Sequence, residues 1–111
     1  MLYIEKDGTV RLTRGDSAIL TVDLTYKDTG TPYEIGEHDT VTMTVKKSAK
    51  NPDFVMQKKV VGSTSIYIQP SDTKGLAFGK YKYDVELTTA GGDVYTFVEP
   101  TTFEVLEEVT W

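Results

Sequence analysis

Apolar and polar side chains alternate without a break along Tyr81-Lys82-Tyr83-Asp84-Val85-Glu86-Leu87-Thr88. A period of two is typical of a β-strand with one buried face, because successive side chains point to opposite sides of a sheet. The odd-numbered residues of this stretch are therefore predicted to face a core and the even-numbered residues to face water. A helix would instead repeat its buried positions every three or four residues.

The same period of two recurs in the stretches 20–26, 41–45, 66–68 and 103–105. These stretches are rich in Thr, Tyr, Val and Ile, which suit a pleated surface. The residues predicted to form the core are Leu20, Val22, Leu24, Val41, Met43, Val45, Ile66, Ile68, Tyr83, Val85, Leu87, Phe97 and Phe103.

Turn-forming residues separate these stretches at short intervals. Asp7-Gly8 and Gly91-Gly92 are predicted to close hairpins, since glycine readily supplies positive φ angles. Strands and turns at this spacing predict an all-β protein, an antiparallel sandwich or barrel. Only residues 71–77 depart from the pattern; they predict one short helical turn that crosses between two sheets, with Ser71 or Asp72 as its cap.

The chain has 111 residues and no cysteine. This length predicts a single β-sandwich domain over residues 1–111, and the lack of cysteine excludes disulfides and thiolate metal sites. Charges at Glu5, Lys6 and Asp7 stand where a signal peptide needs an apolar run, and no apolar run of membrane-spanning length occurs. We therefore expect a protein made in the cytoplasm without a signal peptide, and no membrane partner.

Acidic residues outnumber basic ones by 17 to 12, which makes the net charge −5. This balance argues against a nucleic-acid partner, because binding to phosphates needs clustered Lys and Arg. The lysines do concentrate in one part of the chain, and the candidate interaction surface comprises Lys46, Lys47, Lys50, Lys58 and Lys59. The surface could bind an anionic partner, including the acidic region after Lys82 on a second copy of the chain. The competing interpretation is an edge hairpin that its lysines protect from aggregation.

Residues that could carry catalysis or hold a metal are few. His38 is the single histidine and lies in a polar loop, so an exposed loop side chain is predicted rather than a ligand or base. The loop carboxylates lack the close spacing of a calcium loop, and no serine lies in a nucleophile motif. We therefore predict no catalytic residue, no metal site and no cofactor, and a protein that is not an enzyme.

The turn around residues 72–83 resembles that of immunoglobulin-like sandwiches. In that family an acidic residue precedes a Gly-x-Tyr segment, and a tyrosine hydroxyl ties the corner to the backbone upstream. Asp72, Gly79, Tyr81 and Tyr83 occupy the matching positions. The resemblance implies an antiparallel immunoglobulin-like β-sandwich of about seven to nine strands.

A longer resemblance covers nearly the whole chain. The blocks are Asp39-Thr40-Val41-Thr42-Met43-Thr44-Val45-Lys46-Lys47, Ile68-Gln69-Pro70-Ser71-Asp72-Thr73, Phe78-Gly79-Lys80-Tyr81-Lys82-Tyr83-Asp84-Val85-Glu86-Leu87, Gly91-Gly92-Asp93-Val94-Tyr95-Thr96 and Phe103-Glu104-Val105. Their order is similar to that in small prophage proteins of Gram-positive bacteria and in the N-terminal immunoglobulin-like domain of phage baseplate upper proteins.

That resemblance implies a non-catalytic structural module of a phage or prophage tail or baseplate, and hence a virion component. Its expected partners are other phage structural proteins, and a homo-oligomer is compatible with it. The alternative is a carbohydrate-binding or host-surface adhesin domain. The composition allows this alternative because seven tyrosines and one tryptophan could supply a platform for stacking sugars; Tyr3, Tyr26, Tyr33 and Trp111 are the aromatic residues expected to be exposed.

Overall fold

Strands account for most of the computed structural model, which describes residues 2–4, 8–24 and 29–107, with side chains at 8–24, 29–96 and 100–107. The strands are β1 (Leu2–Ile4), β2 (Val10–Thr13), β3 (Ala18–Thr21), β4 (Thr40–Lys46), β5 (Phe54–Val61), β6 (Ser65–Ile68), β7 (Gly79–Thr88) and β8 (Val94–Leu106). The described residues contain one helix, α1 (Pro70–Lys74), which is far too short to cross a membrane. The all-β prediction is confirmed.

The strands of the described residues form two sheets. The larger has six strands in the order β1-β2-β8-β7-β4-β5, and the smaller pairs β3 with β6. The prediction of a purely antiparallel arrangement is wrong at one pairing, because β2 runs parallel to β8 and makes the large sheet mixed. Parallel neighbours need a long connection, and here all the strands from β3 to β7 intervene, so no local turn signal reveals the direction of this pair.

One hydrophobic cluster joins the two sheets. It contains every residue predicted to be buried whose side chain is described, for example Leu20 and Ile66 from the small sheet and Met43 and Val85 from the large one. Phe97, also predicted to be in the core, lies outside the described side chains. The cluster further includes Val10, Leu12, Met56, Tyr81 and Val105.

Helix α1 connects the small sheet to the large one, as predicted for this segment, but its cap differs. Gln69 is the N-cap, and Asp72 stands at the third helical position, where its carboxylate accepts a hydrogen bond from the Gln69 amide at 2.7 Å. The helix is also tied to the turn after β2, because the Gly15 amide donates to the buried Thr73 hydroxyl at 2.8 Å. Leu76, just beyond the helix, packs against the core.

Glycines mark two of the predicted turns. Gly92, in the turn between β7 and β8, has a φ of 92°, and Gly8, before β2, has a φ of 90°. Side chains with a Cβ rarely adopt this region, so both positions favour glycine. The rest of the first predicted hairpin turn, residues 5–7, lies outside the described part of the chain.

Candidate functional site

The lysines of the candidate interaction surface lie on different parts of the structure. Lys47 and Lys50 are exposed in the loop between β4 and β5. Lys46 stands opposite Phe54 and Lys82 on the outer face of the large sheet, and Lys59 lies on the same face, opposite Thr42. The structure therefore brings Lys46 and Lys59 to one sheet face, with the loop lysines beyond its end.

Lys58 points away from this group. It stands opposite the buried Met43, on the core side of the sheet, and its ammonium contacts the Asp72 carboxylate at 2.8 Å. Both side chains are mostly shielded from water, so the ion pair ties the edge strand β5 to helix α1. This contact gives Lys58 a role within the fold.

A shallow groove, here called the outer groove, runs across β4 on the outer face of the large sheet. Its floor is formed by Thr42, Thr44 and Lys46, which alternate along β4 with the buried Val41, Met43 and Val45. The alternation explains why the groove is polar, because side chains that point away from the core on this strand face water.

The walls of the outer groove come from the two neighbouring strands. Strand β5 and the turn before it contribute Pro52, Phe54, Gln57 and Lys59, and β7 contributes Asp84, Glu86 and Thr88. The Gln57 side-chain amide donates to the Thr44 hydroxyl at 3.0 Å, which orders the centre of the floor. The ring of Phe54 is half-exposed at one end of the groove.

Two carboxylates on β7, those of Asp84 and Glu86, have no hydrogen-bond or ion-pair partner among the described side chains. Partial burial raises the pKa of Asp84, an effect that the charge of Lys46 partly offsets. Burial disfavours the charged form of a carboxyl group, and a bound hydrogen-bond donor would favour it again. The groove thus presents acceptors that the fold itself does not use.

Asp39 and His38, in the loop before β4, contact neighbouring residues. Asp39 accepts hydrogen bonds from the Tyr33 hydroxyl at 2.7 Å and from the Gly36 amide at 2.9 Å, and these donors lower its pKa. His38 is exposed and lies 3.2 Å from Glu37, a contact that becomes an ion pair only when the imidazole is protonated. No group of three or more metal-ligating side chains occurs within the described residues.

The Arg14-Gly15-Asp16 segment likewise has partners within the fold. The Arg14 guanidinium lies 4.4 Å from the centre of the Phe78 ring and donates to the Leu76 carbonyl at 3.4 Å. Gly15 has a φ of 83° and binds Thr73 through its amide. These contacts link the turn after β2 to the segment around helix α1.

Of the four aromatic residues expected to be exposed, Tyr33 alone lies among the described side chains. Tyr33 is half-buried and bound to Asp39, while the side chains of Tyr3, Tyr26 and Trp111 lie outside the described residues. Among the described side chains, Tyr67, on β6, and Tyr95, on β8, are exposed.

Apolar side chains are exposed on the small sheet and on the edge strand of the large one. Ile19 and Tyr67 stand opposite each other on β3 and β6 and are 59% and 52% exposed. Val55 and Val61 are exposed on β5. Neither edge of the β3–β6 sheet, nor the outer edge of β5, pairs with another strand among the described residues.

No protein-family model matches the sequence, and no curated protein shows significant similarity to it.

Sequence reasoning proposed the lysines as an interaction surface and did not reveal the outer groove. Its β7 residues were visible as the polar half of the alternating stretch, and its β4 residues as the threonines between Val41, Met43 and Val45. What the sequence did not show was the pairing of β4 with both β5 and β7, which places Phe54 and Gln57 on the same face as Glu86.

Proposed function

We propose that the protein is a non-catalytic structural module of a phage or prophage tail or baseplate, built on an immunoglobulin-like β-sandwich and acting through protein–protein contacts. The proposal rests on the sequence blocks that resemble baseplate proteins and on the exposed strand edges. Its partners are other structural proteins of the particle.

The strand order supports the immunoglobulin-like scaffold. Variable-type immunoglobulin domains extend their G-F-C sheet with strand C′ and place strands B and E in the opposite sheet. The order β8-β7-β4-β5, with β3 and β6 in the second sheet, corresponds to this arrangement. In addition, the Tyr81 hydroxyl donates to the Ala77 carbonyl at 2.7 Å, the tie to the upstream backbone that the resemblance leads us to expect.

The apolar outer face of the small sheet carries the argument for protein contacts. Ile19 and Tyr67 form a cross-strand pair that turns away from the core, on a sheet of two strands with no further strand beside it in the described chain. Unpaired strands offer backbone donors and acceptors to another chain, and exposed apolar groups gain from being covered. Assembly with a neighbouring subunit would bury both.

The test is peptide mass spectrometry on particles purified from a lysogen that carries this gene. We expect the protein at a constant copy ratio to the tail proteins, and intact, infective particles that lack the protein would overturn the proposal.

A variant experiment in the same lysogen examines the surface. Ile19→Lys places a charge in the proposed contact and should reduce incorporation, whereas Val94→Lys, at a residue that is 56% exposed on β8, is the matched control. Normal incorporation of Ile19→Lys would show that the small sheet is not the contact.

A further inference from the structure

The outer groove carries charges of both signs on its two sides. Lys46 and Lys59 lie on its β4 and β5 side, and Asp84 and Glu86 on its β7 side. None of these residues forms an ion pair with another within the described structure. A strongly charged ligand would meet repulsion from one of the two pairs, so this balance favours an uncharged ligand that can both donate and accept hydrogen bonds.

We propose that the outer groove binds a neutral oligosaccharide. This function goes beyond assembly into a particle and does not depend on it. Sugar hydroxyls donate to carboxylates and accept from ammonium and hydroxyl groups, and the groove presents all three kinds of group along a single sheet face.

The carboxylates are placed to receive sugar hydroxyls. Asp84 and Glu86 are two residues apart on β7, so their side chains project from the same face of the sheet. Each carboxylate has two oxygens that accept hydrogen bonds, and neither side chain has a partner in the described structure. Two neighbouring hydroxyls of a sugar ring can therefore donate to the two oxygens of one carboxylate.

The floor and the opposite wall supply the remaining polar contacts. The Gln57 amide donates one hydrogen bond to Thr44, which leaves its carbonyl oxygen available to accept and the Thr44 hydroxyl able to donate. Lys59 adds ammonium donors on the same side. Because Gln57 is held by Thr44, less side-chain freedom is lost on binding.

Phe54 supplies an apolar surface at the end of the groove. Phe54 is 50% exposed, stands opposite Lys46 and lines the groove together with Pro52. The face of an aromatic ring carries a partial negative charge, which attracts the weakly positive C–H groups on the apolar side of a sugar ring. An aromatic ring beside a row of polar side chains is therefore suited to a carbohydrate.

The first experiment is a microarray of neutral hexose and N-acetylhexosamine oligosaccharides, with sialylated and phosphorylated glycans on the same slide. We expect binding to neutral glycans and weaker binding to the acidic ones. The absence of binding to any neutral glycan, or a preference for acidic glycans, overturns the proposal.

Two variants locate the site by calorimetric titration with the best neutral glycan from the array. Asp84→Asn and Phe54→Ala should each weaken binding by about tenfold or more. Their matched controls are Asp23→Asn and Tyr95→Ala, exposed residues outside the groove, which should bind as the wild type does. Equal loss in the controls, or no loss in the groove variants, would place the sugar elsewhere and refute the groove.

A titration followed by amide NMR on the wild-type chain removes any dependence on variant folding. Glycan addition should shift the amide signals of Thr42, Gln57 and Glu86 more than those of Ile19 and Tyr67. Should the groove signals move with protein concentration and not with glycan, the occupant is a second copy of the chain and the proposal fails. Because particle composition is measured separately, failure here leaves the structural proposal standing, and the reverse also holds.

Discussion

The two faces of the large sheet are made by alternate residues of the same strands, yet they differ in almost every property. On the inner face, Met43 and Val85 are completely buried in the core. On the outer face, Thr42 and Glu86 stand opposite each other in a polar groove. The comparison shows that alternate residues of one strand can form the core while the residues between them remain available for binding.

The largest expected effect comes from moving a charge to the inner face. Val85→Asp would bury a carboxylate without a partner, which costs several kcal/mol and is comparable with the stability of a whole domain. We expect this variant to lack a cooperative melting transition in circular dichroism. Thr40→Asp puts the same group on the outer face and should melt close to the wild type; equal behaviour of the two variants would show that the strand register is shifted by one residue.

A second pair of variants makes the same change at a buried and an exposed phenylalanine. Phe103 is fully buried and meets Tyr83 edge-on, with ring centres 6.2 Å apart. Phe103→Ala should lower the free energy of unfolding by about 3–5 kcal/mol, whereas Phe54→Ala should lower it by less than about 1 kcal/mol. Urea unfolding measures both, and a large loss for Phe54→Ala would mean that the outer face also supports the fold.

The corner hydroxyl should have a smaller effect. Tyr81→Phe removes the hydrogen bond to the Ala77 carbonyl and should destabilise the protein by about 1 kcal/mol. Tyr67→Phe removes an exposed hydroxyl with no partner in the described structure and should leave the melting temperature unchanged. If Tyr81→Phe also melts unchanged, the corner bond contributes nothing to stability.

The smallest effect is expected at Asp84, and its pH dependence has a definite sign. Burial raises the pKa of Asp84 above its ordinary value of 3.8, so the folded state holds this proton more tightly than the unfolded state does. The group therefore lowers stability as pH rises through the folded pKa. Asp84→Asn should be slightly more stable than the wild type at neutral pH, within about 0.5 kcal/mol, and the difference should vanish below pH 3.8.

Asp39→Asn is the matched control, with the opposite sign. The Tyr33 hydroxyl and the Gly36 amide lower the pKa of Asp39 below 3.8, so its contribution is present above that pH and is lost as pH falls through the folded pKa. Asp39→Asn should therefore be less stable than the wild type at neutral pH, and the gap should narrow in acid. Thermal melts across the acidic range measure both variants, and a loss of stability in Asp84→Asn at neutral pH would indicate an internal partner for that carboxylate.

The sequence predicted the strands with the clearest alternation and the residues that they bury. Val41, Met43 and Val45, and Tyr83, Val85 and Leu87, are buried as expected, because a half-buried strand must alternate. The short helix was also predicted, since a proline and capping residues follow a strand there. The predicted cap, Ser71 or Asp72, lies too late in the chain, because the N-cap is Gln69. Asp72 is inside the helix, where its carboxylate accepts a hydrogen bond from the Gln69 amide.

Strand pairing was beyond the reach of the sequence. The alternation of apolar and polar residues predicts which face of the sheet a side chain occupies. It does not predict which strand pairs with a given strand, or in which direction the partner runs. The parallel pairing of β2 with β8 joins residues at opposite ends of the chain, and the outer groove needs β5, β4 and β7 side by side. The separation of Lys58 from Lys59 has the same origin: neighbours in a strand point to opposite faces, and only the fold put Asp72 within reach of one of them.

The amino-acid sequence by itself thus determined the β class, the buried half of the strongest strands and the glycine turns, because each depends on residues close together in the chain. The tertiary structure alone decided the direction of β2, the ion pair between β5 and helix α1, and the neighbours of Asp84 in the groove. These features join segments far apart in sequence, whose contacts arise only when the two sheets bury a shared core.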